Sequence, residues 1–197
     1  MNPYTLRKIA ASVSVVIETF GNKADVLPLI KALYLADRQM LNETGCTVTG
    51  DTYASMKNGP VLSGTYSLLR GKAALSLQRQ WDAAFSTTGD CVTTKGVVDR
   101  ATLSPKEEEI LRGQATRIKR LWNKSPRINL SAWIHKECPE WENPGNSSRK
   151  LPVSKIAAQL PSWKGEDTSC LDAEIAYTAK VGALGSLANK PLLLANN

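Results

Sequence analysis

The 197-residue chain carries 25 Lys and Arg against 18 Asp and Glu, a formal net charge of +7, with 42% hydrophobic residues. That length suits one domain, or one domain and a tail, and such a chain buries about 70% of its extended surface without disulfide staples. Cys46, Cys91, Cys138 and Cys170 are widely spaced with no C-x-x-C pair; no secretory leader is legible, and no apolar run nears the ~20 residues of a membrane span, so a cytoplasmic protein with reduced thiols is predicted.

From the N-terminus, Leu6, Ile9, Val13, Val16, Ile17 and Phe20 keep helical spacing behind Thr5, a predicted N-cap, and Gly21 ends the run. Asp25 is the predicted cap of a second helix, with Pro28 in the first turn, where a missing N–H does no harm. The short loop between them predicts an antiparallel pair. Ile30, Leu33, Tyr34, Asp37, Met40 and Leu41 recur at three- and four-residue steps, so one mostly apolar face of the second helix carries an acid. Asp37 is expected to accept from a nearby backbone amide or to pair with a cation such as Arg38.

Gly45 should close that helix, residues 47–50 should turn, and residues 52–56 read as a short strand that Asn58, Gly59 and Pro60 break. The Gly-Pro pair is expected to set a sharp exit angle into a helix over residues 62–70, closed by Gly71. Trp81, Ala83 and Phe85 alternate with polar residues, Thr88-Gly89-Asp90 turns, and residues 91–94 return, which is a hairpin signal. Joined to residues 52–56, the hairpin is expected to make one antiparallel sheet of about three strands.

The segment LSPKEEEILRGQATRIKRLW has the clearest start. Ser104 caps, Pro105 takes the first helical position and Glu107 completes a capping box. Glu107, Glu108 and Glu109 lie at the positive end of the helix dipole and Arg117, Lys119 and Arg120 at the negative end, each contributing about 0.3–1 kcal/mol. Leu111, Ala115, Ile118 and Trp122 form the predicted buried stripe, which leaves the outer face basic toward its end. Ser125-Pro126 should stop this helix. A short one follows from Asn129 or Ser131 through Trp133, Ile134 and His135 to Glu137, stopped by Cys138-Pro139. Residues 143–150, NPGNSSRK, read as an exposed, mobile loop.

Residues 151–160 predict a small helix that Pro161 terminates, and Leu171, Ile175 and Thr178 one more. Beyond Gly182 periodicity is lost, and the apolar PLLLA end either docks on a partner or hangs free. The expected fold is therefore mainly α (α+β), a single helical domain of six or seven helices with a small sheet. Residues 1–165 form the predicted domain and 166–197 a C-terminal helix and flexible tail.

Little in the chain predicts chemistry. His135 is the one histidine and has only Cys138 close by, too few ligands for zinc. There is no G-x-S-x-G, P-loop, dinucleotide fingerprint or framed carboxylate pair. No catalytic, cofactor or metal residue is predicted, and the chain reads as a non-enzyme. The cations concentrate at Arg112, Arg117, Lys119, Arg120, Lys124 and Arg127, with Arg149 and Lys150 later. They make a solvated helix face or a patch for an acidic protein or nucleic acid, although no aromatic-rich nucleic-acid motif accompanies them.

The blocks LYLADR, TGDTYASMKNGPV, LSPKEEEIL, WIHKECPEW and LPVSKIAAQL, in that order over roughly residues 5–165, resemble the Panacea, or SocA-like, domain of bacterial and phage-encoded antitoxins. The resemblance implies an antitoxin that binds and neutralises a co-encoded toxin by direct contact. Two other readings accompany it: a proteolytic adaptor that delivers the toxin to an ATP-dependent protease, and a nucleic-acid-binding regulator. The implied partners are the cognate toxin first, with a homo-oligomer and nucleic acid as further classes. Candidate contact residues are Asp37 and Arg38, then Tyr53, Met56, Lys57 and Asn58 at the strand edge and turn, then Arg117, Arg120 and Lys124 on the basic helix end.

Overall fold

The computed structural model describes residues 1–124, 128–182 and 192–193. Three helices make its centre: α1 (Pro3–Phe20), α2 (Val26–Thr44) and α5 (Pro105–Lys124), with α5 lying against both others. Leu6, Ile9, Val13 and Val16 of α1, Leu29 and Leu33 of α2, and Leu111, Ala115 and Ile118 of α5 are fully buried. The expected stripes therefore meet one another, as the removal of apolar surface from water requires.

The helix ends follow local chemistry with one correction. Asn2, not Thr5, caps α1: its Oδ1 accepts from the Thr5 N–H at 2.8 Å, and Pro3 takes the first helical position. Gly21, at φ +97°, closes that helix and Gly45, at φ +76°, closes α2. Asp25 occupies the cap of α2 without a side-chain cap bond. On α5 the capping box forms as expected, with Ser104 N–H donating to Glu107 Oε2 at 2.8 Å and Glu107 N–H to Ser104 Oγ at 3.3 Å. Glu107 also pairs with Lys8, which ties this helix start to α1.

The β part is two separate three-stranded antiparallel sheets, which agrees with a mainly α fold of minor β content but differs in pairing. In the first, β2 (Tyr53–Met56) lies between β3 (Gly59–Leu62) and β6 (Arg149–Leu151). Gly59-Pro60 does not end the strand. Met56 pairs with Gly59 around a two-residue turn, Lys57-Asn58, and the chain returns as β3. A proline lacks a ladder donor, and β3 is an edge strand, where that loss is tolerated. β6 lies in the segment expected to be a mobile loop and covers the other side of β2, so β2 has no open edge.

The second sheet joins β1 (Ala24–Asp25), β5 (Cys91–Thr94) and β4 (Phe85–Thr88), and contains the predicted hairpin. Trp81 and Ala83, however, stand in a helix, α4 (Leu75–Ala84). Trp81, Ala84 and Phe85 fit a three-and-four spacing as well as an alternating one, and short apolar runs are ambiguous between the two. All three are buried, and the Trp81 and Phe85 rings stack at 4.1 Å.

The remaining helices are α3 (Ser63–Leu69), α6 (Ile128–Glu137), α7 (Val153–Ala157) and α8 (Leu171–Gly182). Because α6 already begins at Ile128, Asn129 and Ser131 lie within it. The expected stop at Ser125-Pro126, and Arg127, lie outside the described residues. Pro161 opens a short 3-10 helix, Pro161–Trp163. Asp172 of α8 accepts from the Val153 and Ser154 amides at 2.8 and 3.1 Å, capping α7. The apolar tail, where described, docks on the chain itself: Leu192 is buried, its carbonyl accepts from Asp99 N–H at 2.8 Å, and Leu193 bridges Val98.

A glycine contrast tests this hairpin geometry. A Cβ on Gly59, at φ +97°, would stand 2.6 Å from Ile134 Cγ2, whereas one on Gly89, at φ +63°, meets nothing within 4 Å. Gly59→Ala should lower unfolding stability by about 2–4 kcal/mol and Gly89→Ala by about 1 kcal/mol in urea titrations. Equal losses would contradict the close approach of α6.

Candidate functional site

The inner face of α2 carries Lys31, Tyr34 and Arg38 at steps of three and four, with Asp37 beside them. Lys31, Tyr34 and Asp37 are buried to 1% exposure or less. Each meets a polar group from a segment distant in sequence, so this face acts as the frame on which the β2–β3 hairpin and the α6 end are mounted.

Lys31 Nζ donates to the Pro60 carbonyl at 2.7 Å, and burial pulls its pKa down to about 7. Tyr34 Oη–H donates to Glu140 Oε1 at 2.7 Å, and Arg38 Nε reaches the same oxygen at 2.9 Å. The Glu140 carboxylate is fully buried and holds the CPEW segment against α2. Asp37 accepts from Thr49 N–H at 2.9 Å, Thr49 Oγ1–H at 2.5 Å and Tyr53 Oη–H at 2.8 Å. Burial pushes the Asp37 carboxyl up to about 6, against these hydrogen bonds. Asp51, buried nearby, accepts from the Gly64 and Thr65 amides at 3.0 and 2.7 Å and so fixes the start of α3; burial raises its pKa too.

The hairpin is held from behind at two carbonyls. Besides the Lys31 bond to Pro60, Trp141 Nε1–H donates to the Met56 carbonyl at 2.8 Å. The His135 and Trp141 rings stack at 3.6 Å and 2°. From the front, Lys57 and Asn58 are exposed and Met56 is half-buried. A cleft of about 130 Å³ lies beside this turn, among Leu27, Met56, Lys57, Tyr66 and Arg70.

The predicted site residues thus divide into distinct settings. Asp37 and Tyr53 are interior and bonded to each other; Arg38 pairs with Glu140 rather than with Asp37. Met56, Lys57 and Asn58 share the hairpin turn. On α5, Arg117 is exposed, lies 4.7 Å over the Trp133 ring and pairs with Glu137 at 3.0 Å. Arg120 and Lys124 are exposed as well. The α2 face and the turn adjoin, while the α5 end is a separate surface. Lys31 and Glu140 are not among the predicted site residues; the one mark of Lys31 in the sequence is its place three residues before Tyr34 and seven before Arg38, inside an apolar run.

Among the described residues, no group of three or more His, Cys, Asp or Glu side chains could hold a metal ion. Burial pushes the Cys138 thiol up to about 12, so it carries no reactive thiolate. No helix among the described residues is long and apolar enough to cross a membrane.

Lys31 leaves a measurable signature. The unfolded chain keeps this ammonium protonated into the ordinary lysine range, whereas the native state releases its proton near pH 7. Unfolding above pH 7 therefore takes up a proton, and raising the pH toward 8.5 should favour the native state by up to about 1.4 kcal/mol per unit. Lys31→Met should lose that slope in urea titrations at pH 7 and 8.5. A variant with the wild-type slope would refute the buried amine as its source.

Comparison with protein families matches residues 29–142 to the antitoxin SocA-like Panacea domain, and no curated protein and no solved structure matches the chain. The matched segment is more than half of the chain. It runs from α2 to the end of the CPEW segment, and so contains Lys31, the hairpin, His135, Glu140 and Trp141. By this match the chain belongs to the SocA-like Panacea domain family of antitoxins.

Proposed function

We propose that this protein is an antitoxin that neutralises a co-encoded toxin by direct protein contact, with no chemistry of its own. The observation that carries this reading is the β2–β3 turn, exposed at Lys57 and Asn58 while two of its carbonyls are bonded from behind. A partner that docks there orders little chain, and a surface set in advance keeps more of its interaction energy as affinity.

Met56, Lys57 and Asn58 are the proposed contact. Asp37, Tyr53 and Arg38 support it from the interior, where they fix the strand and the α6 end. The basic end of α5, with Arg117, Arg120 and Lys124, steers an acidic toxin toward the protein, and such rim charges speed encounter more than they tighten a complex. An adaptor that hands the toxin to a protease uses the same contact and differs in shortening the toxin's half-life. A nucleic-acid regulator instead binds bare DNA with a steep loss of affinity on adding salt.

Growth rescue tests the reading, using cells that express the toxin encoded beside this gene. Met56→Asp should abolish protection, while Arg120→Glu should keep it and slow association by about three- to tenfold at low salt. Circular dichroism checks that each variant is folded. Full protection by folded Met56→Asp would move the contact away from the turn.

A further inference from the structure

Resting on the antitoxin reading, the cleft beside the turn narrows what the partner must present. Its mouth carries Lys57, which has no ion pair among the described residues, and Arg70, which pairs with Asp90 at 2.7 Å. The Arg70 guanidinium also lies 5.5 Å from the centre of the Tyr66 ring, which holds it at the rim. Beneath, the buried Lys31 ammonium points toward Pro60. Two cations, Lys57 and Arg70, thus face the cleft mouth against one acid, Asp90, and that acid is already paired.

The walls between these charges are apolar, from Leu27, Ile30, Met56 and Val61. Apolar walls lower the local dielectric and strengthen the attraction for an anion. The size is equally restrictive. About 130 Å³ is room for roughly four waters at about 30 Å³ each, and falls below the roughly 300–1,000 Å³ of ordinary small-molecule sites. A nucleic acid needs a line of phosphate contacts along a stripe, whereas this is a single recess.

We infer that the cleft between the start of α2, the β2–β3 turn and α3 receives one aspartate or glutamate side chain of the toxin, its carboxylate set between Lys57 and Arg70 and its stem against Met56 and Leu27. The carboxylate replaces solvent at the Lys57 ammonium and shares Arg70 with Asp90. The site thereby selects for charge at one point, while the rest of the interface supplies area.

The test is a charge-swap cycle with the purified toxin encoded beside this gene. Lys57→Glu and Arg70→Gln should each raise Kd at least about tenfold at 0.1 M salt, with Lys57→Arg close to native. Lys164→Glu, an exposed charge outside the cleft, should stay within about twofold. Scanning the toxin's Asp and Glu residues to Lys should find one whose loss of binding Lys57→Glu restores to within about fivefold of the native pair. If the native chain binds the toxin and Lys57→Glu and Arg70→Gln bind equally well, the cleft assignment falls and the antitoxin reading stands. If the native chain binds no toxin, both fall. Binding of duplex DNA that these variants abolish would replace the acidic side chain with phosphate and overturn the inference.

Discussion

A single lysine on the buried face of α2 is the constraint on which the hairpin depends. Removing an ammonium from water costs several kcal/mol. One hydrogen bond to a carbonyl offsets about 1.5–3 kcal/mol of it. Lys31 makes one such bond, to Pro60, so it is a poor contributor to stability and a strong constraint on geometry. Its acceptor belongs to a residue that has no amide to give the β ladder. The bond from α2 therefore adds a fixed point to a strand that pairs with the sheet along one edge only.

The neighbouring polar groups repeat this pattern along the same helix face. Tyr34 and Arg38 share Glu140, and Asp37 gathers Thr49 and Tyr53, so successive turns of α2 each fasten a different distant segment. Buried networks of this kind are costly when half satisfied and specific when complete. Gly59 adds a steric condition, since α6 comes close enough to exclude any side chain there. His135 and Trp141 then complete the cradle from α6 and the segment after it, in one stacked pair.

How much of this was legible in the sequence depends on the range of each interaction. The caps at Ser104, Gly21 and Gly45 involve neighbours within a few residues, and their chemistry can be read directly. Asp37 was conspicuous because an acid on an apolar stripe demands donors, and a backbone amide does supply one. The partner strand of β2 was not legible, because β6 is a polar Arg-Lys-Leu triplet within turn formers, and nothing local marks it as paired. Lys31 was hidden for a related reason: a lysine in a helix normally extends its charge to water, and only the fold shows that Gly59, Ile134 and His135 close that route. For the site, the turn residues stood out by their motif, but the rear support from Trp141 and Glu140 required the three-dimensional arrangement.

The pairing of β6 with β2 has a consequence for synthesis. About 90 residues separate the two strands, and a ribosome adds about 5–20 residues per second, so β2 emerges roughly 5–20 s before its second neighbour exists. During that interval one edge of the hairpin sheet is open, and His135 and Trp141 have yet to be made. The nascent chain thus exposes a strand edge of the kind that invites mispairing, and holds its turn unsupported. A partner arriving early meets a floppy hairpin; only the nearly finished chain offers the braced one.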